Sequence, residues 1–322
     1  MIGNIKKAII MKIKYLLAAA IVSGLTACSN DETVNTGTEK ENTALFTGSI
    51  EGTRTRAYDQ TWEPTDQIGI TGTSGSKTYT NIPYKYAGSG DETFTAAADK
   101  IYYQDDSQVQ FTAYYPWSES LTAATTITAD TWRQVAQKTF DFLHATATGS
   151  KGMAVNFTFK HKMAKLVLTV KAGEDVAYSD VESAVCSLEN FLHEGTFDRI
   201  TGTATATGNP GVMWDFANGG EANHNTPTVA KDETNKSVAY TLILFPQPFP
   251  STGGNLTFTA ATGGNEYSAE IDLSKVPDNG TNELKPGTQY NITIRLNKTG
   301  LTVGTSSISG WREKSHTIDA GM

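Results

Sequence analysis

The chain has 322 residues, a net charge of −8 and 38% hydrophobic residues, which is enough for two domains of ordinary size after a short leader. The acidic balance argues against a nucleic-acid-binding protein, because a phosphate backbone attracts clustered Lys and Arg. The chain contains two cysteines, Cys28 and Cys186. We expect Cys28 to be modified, which leaves no internal disulfide, so the fold must depend on its hydrophobic cores.

The start of the chain is typical of an exported lipoprotein. Lys12 and Lys14 precede a short apolar run at 15–22, and Leu-Thr-Ala-Cys ends at Cys28. The run is shorter than the roughly 20 apolar residues that span a membrane, so we predict a signal peptide at 1–27. The four residues ending at Cys28 resemble a bacterial lipobox. This resemblance implies that Cys28 becomes the first mature residue and carries diacylglycerol and a palmitate-like acyl chain.

A polar tether follows the modified cysteine. Residues 28–43 contain no aromatic side chain, which is typical of a flexible linker. Ser29-Asn-Asp-Glu32 resembles the acidic surface-export signal of lipoproteins from some anaerobic Gram-negative bacteria, although an ordinary polar tether has the same composition. We therefore predict a lipid-anchored protein on the outside of the outer membrane, which contacts the membrane only through its anchor.

Short alternating runs and frequent turn residues predict an all-β fold in the rest of the chain. The first predicted strand is 45–50, in which Leu45, Phe46 and Ile50 are the apolar positions. Further strands are predicted at 67–70, 79–86, 92–95, 109–115, 181–188, 238–244, 256–260, 290–296 and 301–311. Residues 201–210 are interpreted as a Gly/Thr loop. We expect few and short helices, because no segment has a long helical period.

The stretch 157–170 predicts a domain boundary. Phe157, Phe159, His161 and Met163 share one face of an extended strand, whereas Leu166 and its alternate neighbours share the other face. This change predicts a crossing between two β-domains at 44–158 and 159–322. One long bulged strand within a single domain is the alternative.

No catalytic or metal-binding motif is present in the sequence. The five histidines lack ligand spacing, and no nucleophile elbow, Walker loop or dinucleotide-binding turn occurs. We therefore predict no enzyme activity, no metal and no cofactor. His161 is interpreted as a hydrogen-bonded core residue, and Cys186 is interpreted as a small buried side chain. Residues 278–283 are interpreted as a turn.

Several motifs together resemble the fimbrillin-like family of type V pilus subunits and their relatives. They are the lipobox, the Arg-Ala-x-x-x-x-Trp pattern at 56–62, and the matching segments 66–70, 159–166, 286–290 and 308–311. This resemblance covers nearly the whole mature chain. It implies two tandem transthyretin-like Greek-key β-sandwich domains.

The resemblance also implies assembly by strand donation. A protease cuts after an Arg near the N-terminus, the first strand leaves, and the vacated groove accepts a strand from a neighbouring subunit. Here Leu45, Phe46 and Ile50 would belong to the removable strand, and Arg54 or Arg56 would be the cut site. The alternative is that both arginines are simply solvated loop residues. The implied partners are other fimbrial subunits and a protein or glycan ligand on a host or bacterial surface.

A glycan-binding surface lipoprotein that does not polymerise is the alternative function. An exposed aromatic platform would favour it, and the candidates are Tyr102, Tyr103, Tyr114, Tyr115 and Trp117. Alternation places Tyr103 and Tyr115 near the core and leaves Tyr102 and Tyr114 on the opposite side. Ordinary packing in a β-sandwich core explains the same aromatic density.

Overall fold

In the computed structural model the described residues are 42–51, 61–88, 90, 92–209, 212–217, 228–249 and 255–311, with the backbone alone described at 212–217, 228, 309 and 310. No helix in these ranges is both long and apolar enough to cross a membrane.

Strands account for most of the described residues. The first eight are β1 Leu45–Ile50, β2 Gln67–Ser74, β3 Lys77–Tyr86, β4 Thr93–Ala96, β5 Val109–Tyr115, β6 Thr126–Asp130, β7 Leu143–Gly149 and β8 Ala154–His161. The next seven are β9 Ala164–Ala172, β10 Val185–Phe191, β11 Glu194–Asp198, β12 Thr203–Thr207, β13 Val212–Ala217, β14 Thr228–Asp232 and β15 Ser237–Leu244. The last six are β16 Gln247–Pro248, β17 Leu256–Thr262, β18 Asn265–Ile271, β19 Glu283–Leu284, β20 Thr288–Asn297 and β21 Gly300–Gly310.

The helical segments are short, as the sequence predicts. The α-helix α1 spans Tyr178–Glu182. Short segments of 3-10 helix lie at Glu119–Thr122, Gln134–Thr139 and Leu273–Lys275, and the second of these has a kink at Ala136.

The first half of the described chain closes into a barrel. Neighbouring strands follow the order β1-β4-β3-β2-β5-β7-β8, and β8 pairs again with β1. The all-β prediction is confirmed, and in this half the strands form one continuous ladder. The physical reason is that β1 has a hydrogen-bonded partner on each of its edges, so neither β4 nor β8 is left as a free edge. That the chain contains two tandem transthyretin-like Greek-key sandwiches stays a prediction.

The second half packs two sheets face to face. One sheet has the order β14-β15-β9-β20-β21 and the other has the order β13-β10-β17-β18. Their inner faces share one apolar cluster, which includes Leu168, Leu188, Tyr240, Phe258 and Ile292. A smaller sheet, β12-β11-β6, and the pair β16-β19 complete the fold.

The change of apolar face near residue 163 marks a change of sheet. β8 ends at His161 in the barrel, and β9 begins at Ala164 in the five-stranded sheet. A third apolar cluster joins the two halves, since it combines Phe142 with Phe197 and Trp311. The described residues form one compact unit. That the ranges 44–158 and 159–322 fold as independent domains stays a prediction.

Candidate functional site: the first strand and its groove

The first strand is the element that closes the barrel. β1 pairs in parallel with β8 over six residues, from Leu45 opposite Ala154 to Ile50 opposite Phe159. Its other edge pairs antiparallel with β4 at Phe46 and Thr47. Main-chain bonds extend this pairing, because Gly48 N donates to Glu92 O at 3.0 Å and Glu51 N donates to Phe159 O at 2.7 Å. Both edges of β1 are therefore hydrogen bonded, as buried backbone requires.

The inward face of β1 fills the barrel core with one aromatic ring. Phe46 is fully buried, and its ring lies edge-on to Tyr84 at 4.9 Å and to Phe111 at 5.2 Å. It also stacks on Phe157 at 5.8 Å. Burying a side chain of this size stabilises a fold by roughly 1.5–3 kcal/mol, and offset or edge-on aromatic pairs add to this. Removing β1 would therefore leave an aromatic-lined slot.

Gly48 lies where a side chain has no room. A Cβ built at this position would be 2.8 Å from Phe159 Cε2 and 3.2 Å from Phe94 Cε2. Glycine in a strand is typical of such a close approach. The glycine at position 48 of the sequence is a signal of this close approach that sequence reasoning missed.

Trp62 follows the Arg-containing segment in the sequence and contacts β1. Its indole Nε1 donates a hydrogen bond to the Gly48 carbonyl oxygen. The ring is buried edge-on against Phe94 at 5.1 Å and Phe159 at 5.2 Å. Sequence reasoning placed Trp62 in a family pattern but missed this contact, because it depends on tertiary structure.

The three predicted residues of the removable strand have different environments. Phe46 is buried and Ile50 packs partly against the barrel core, whereas Leu45 is 58% exposed. The outward face of β1 is otherwise polar, and Thr47 Oγ1 donates to Asn156 Oδ1 on β8. The structure therefore brings Phe46 and Ile50 to one face and leaves Leu45 on the other.

The other predicted site residues lie outside the described residues. These are the lipidation site Cys28 and the two candidate cut sites, Arg54 and Arg56. The described chain stops at Glu51 and starts again at Thr61, so the segment carrying both arginines directly follows β1.

The candidate sugar-binding aromatics do not form a platform. Tyr103 and Tyr114 are buried, and the Tyr114 hydroxyl donates to Asn81 Oδ1 at 2.8 Å. Tyr114 does point away from the barrel core, as predicted, but Phe197 and its neighbours cover it.

Two further candidate aromatic rings are held by hydrogen bonds. Tyr115 donates to Asp66 at 3.0 Å, and Trp117 donates to the Asn81 carbonyl at 3.2 Å. The large exposed apolar side chains of the described residues include no aromatic ring.

The buried titratable groups have structural environments. His161 is buried and shares a hydrogen bond with Asp141 through Nδ1 at 2.9 Å, which confirms its interpretation as a core residue. Cys186 is also buried, and burial raises the pKa of its thiol to about 12, so it is an inert core side chain. No metal-binding cluster occurs among the described residues.

Comparison with known proteins identifies the family. The sequence profile described as fimbrillin-like matches residues 55–311. Over 308 residues the chain is 30% identical to a Bacteroides uniformis protein named as a fimbrium subunit, Fim1C, covering 92% of this chain and 93% of that protein. The chain therefore belongs to the fimbrillin-like family.

Solved structures show the same fold. A crystal structure from Bacteroides uniformis, named as a cell adhesion protein, is 26% identical with a TM-score of 0.65, covering 84% of this chain and 98% of that chain. A second, from Bacteroides ovatus, has a TM-score of 0.66 at 22% identity with the same two coverages. These relatives are fimbrial and adhesion proteins rather than enzymes, which confirms the prediction that the chain is not an enzyme.

Proposed function

We propose that the chain is a surface-anchored fimbrial subunit or adhesin that assembles by protease-triggered strand exchange. The observation that carries this proposal is the position of β1, which fills a slot between β4 and β8 and is followed directly by the segment with Arg54 and Arg56. Both arginines belong to a short polar stretch of the sequence at 51–57, and small and polar residues are typical of sites that proteases cut.

Release of β1 would turn a closed barrel into one with an open groove. β8 would lose its partner over six residues and β4 would lose its partner at two, while the Phe46 site would be exposed to water. Unpaired ladder groups beside an apolar slot favour the addition of another strand. Before the cut, β1 acts as an intramolecular cap that keeps the subunit monomeric.

The groove sets requirements for the incoming strand. It needs a large apolar side chain at the Phe46 position and a glycine two residues later, because Phe159 and Phe94 leave no space at position 48. Trp62 follows both arginines in the sequence, so it stays with the body after the cut. Its indole N–H is then available to the carbonyl of the incoming strand.

The anchor is the second part of the proposal. Cys28 carries the lipid after removal of residues 1–27, and the mature protein stays on the outer membrane surface while it contacts other fimbrial subunits and a surface ligand. Stable anchoring needs more than one acyl chain, because each buried CH₂ contributes only about 0.8 kcal/mol. Labelling with a palmitate analogue tests this, since Cys28→Ala should lose the label and accumulate as precursor. Label that persists on the variant would refute lipidation at this residue.

Limited digestion with an Arg-specific protease tests the assembly mechanism. We expect a cut after Arg54 or Arg56, loss of β1 by mass measurement, and growth of oligomers by size-exclusion chromatography. The matched control is Arg54→Ala/Arg56→Ala, which should retain β1 and remain monomeric under the same digestion. Cleavage with strand loss but without oligomers, in pure and mixed subunit preparations, would contradict the proposal.

A further inference from the structure

A pocket of about 370 Å³ lies at the junction between the barrel and the second half. Its walls include Lys160, His161 and Lys162 at the end of β8 and Gly202 to Ala204 at the start of β12. The turn before β20 and the Trp311 side chain complete it, with Glu51 at the end of β1. Segments far apart in the sequence therefore converge on one cavity, whose size lies near the lower end of the ~300–1,000 Å³ typical of small-molecule sites.

Two lysines, Lys160 and Lys162, and one carboxylate residue, Glu51, line this pocket. Among the described residues, neither Lys160 nor Lys162 has an ion-pair partner. Burial, and then the charge of Lys160, lower the pKa of Lys162. An anion between the two would relieve this repulsion and gain charge-assisted hydrogen bonds.

His161 provides a second, independent observation. Its imidazole is held by Asp141 through Nδ1 at 2.9 Å and by stacking on Trp311. The other ring nitrogen, Nε2, is buried and has no hydrogen-bond partner among the described residues. A buried polar atom without a partner costs free energy unless a water or a ligand satisfies it. The pocket wall therefore combines two lysines that have no ion-pair partner among the described residues with an unsatisfied ring nitrogen.

We propose that this pocket binds a small acidic sugar, meaning a ligand of about one sugar ring that carries one carboxylate or phosphate group. The two lysines recognise the acidic group, and the cavity volume limits the ligand to about one ring. Both acidic groups offer the oxygen acceptors that ammonium donors need. This function is additional to strand exchange and needs neither cleavage nor a second subunit, because every residue of the site belongs to one uncut chain.

Isothermal titration calorimetry on the uncut full chain tests the proposal. The probes are glucuronate, glucose 6-phosphate, glucose and acetate. We expect saturable binding of glucuronate, glucose 6-phosphate or both. The probe that binds more tightly shows whether the pocket prefers a carboxylate or a phosphate. Glucose, which lacks the charge, and acetate, which lacks the ring, should bind at least ~10-fold more weakly, a difference of about 1.4 kcal/mol.

Paired variants link binding to the pocket. Lys160→Gln/Lys162→Gln should weaken binding at least ~10-fold, whereas Lys85→Gln/Lys100→Gln makes the same change in net charge at exposed positions and should leave binding within about twofold. Thermal unfolding of both variants checks that each is folded. The proposal is overturned if no acidic sugar binds saturably, if glucose or acetate binds equally well, or if both double variants reduce binding to the same extent. Binding of an acidic peptide but of neither acidic sugar would also overturn it.

Discussion

The indole of Trp311 lies flat on the imidazole of His161, with ring centroids 3.8 Å apart and ring planes 2° apart. His161 is the last residue of β8, and Trp311 directly follows β21. The stack therefore joins the end of β21 to β8, the barrel strand that pairs with β1. Trp311 is buried in the cluster shared by both halves.

Replacing Trp311 should destabilise the junction. We expect Trp311→Ala to lower the free energy of unfolding by about 3–5 kcal/mol, because the large buried ring leaves a cavity. Trp311→Phe keeps an aromatic ring on His161 and should cost less than the alanine change. Chemical denaturation followed by circular dichroism measures both variants. Equal unfolding midpoints for Trp311→Ala and the wild-type chain would show that the contact contributes nothing.

Replacing Gly48 by a larger residue should weaken the packing of β1 against the rest of the barrel. Gly48→Val places a branched side chain against Phe159 and Phe94, and overpacking of this kind costs about 1–3 kcal/mol. We expect faster release of β1 after cleavage, measured by mass spectrometry over time. Ser49→Val adds the same side chain to the next, outward-facing position and serves as the control. Identical release rates for the two variants would contradict the importance of space at Gly48.

A buried arginine links the two halves through uncharged acceptors. Arg199 Nε donates to the Leu121 carbonyl at 2.9 Å, and Nη1 donates to Thr71 Oγ1 at 2.9 Å. Arg199→Met removes both hydrogen bonds and should lower stability by about 1.5–3 kcal/mol, the range for hydrogen bonds to a charged group. Arg133→Met removes an exposed arginine and should change stability by less than ~0.5 kcal/mol. Similar denaturation curves for the two variants would contradict this role of Arg199.

Stability should decrease below neutral pH in part because of His144. Burial, and then the charge of Lys162, lower the pKa of His144 from its ordinary value of 6.5, while the Ile200 carbonyl and Asp198 act in the opposite direction. The unfolded chain therefore takes up the proton more readily than the folded chain. This contribution to stability is present above pH 6.5 and is lost as the pH falls from there through the folded-state pKa.

Unfolding measured between pH 7.5 and about 5 tests this assignment. His144→Gln should reduce the slope of stability against pH across that range, because it removes the group that titrates. His193→Gln, which removes the imidazole that lies beside Asp130, should keep the contribution of His144. A slope that is unchanged in His144→Gln would refute the assignment.

Strongly alternating segments could be predicted from the sequence. The bounds of β5, and the alternation in β15 and β20, follow from side chains that are apolar at every second position. β12 was missed and interpreted as a loop, because its Thr-Ala alternation has too little apolar contrast. Val181, predicted as a strand residue, lies in α1, since a short buried helix and a short strand give similar apolar patterns.

Sequence reasoning could not predict the closure of the barrel. Leu45 to Ile50 was predicted as a strand with the bounds that the structure has. Its parallel pairing with β8 joins residues about a hundred positions apart, and local periodicity contains no information about such a partner. The Trp62 contact with Gly48 depends on the same closure.

A disulfide between β1 and β8 tests whether release of β1 is required for assembly. Thr47 lies opposite Asn156 in the parallel register, and adjacent strands are ~4.8 Å apart, which is within the range that a disulfide spans. Thr47→Cys/Asn156→Cys, in a chain with Cys28→Ser, would tie β1 to the body after cleavage. Thr47→Cys with Cys28→Ser and no second cysteine on β8 is the control.

The measurement is the molecular mass of the Arg-protease-treated double variant by size-exclusion chromatography with light scattering. Strand exchange predicts a monomer that retains β1 when the disulfide is oxidised, and oligomers that lack β1 when it is reduced. The control should form oligomers under both conditions. Equal oligomer formation by the oxidised and reduced double variant, or a reduced and cleaved protein that stays monomeric, would contradict strand exchange.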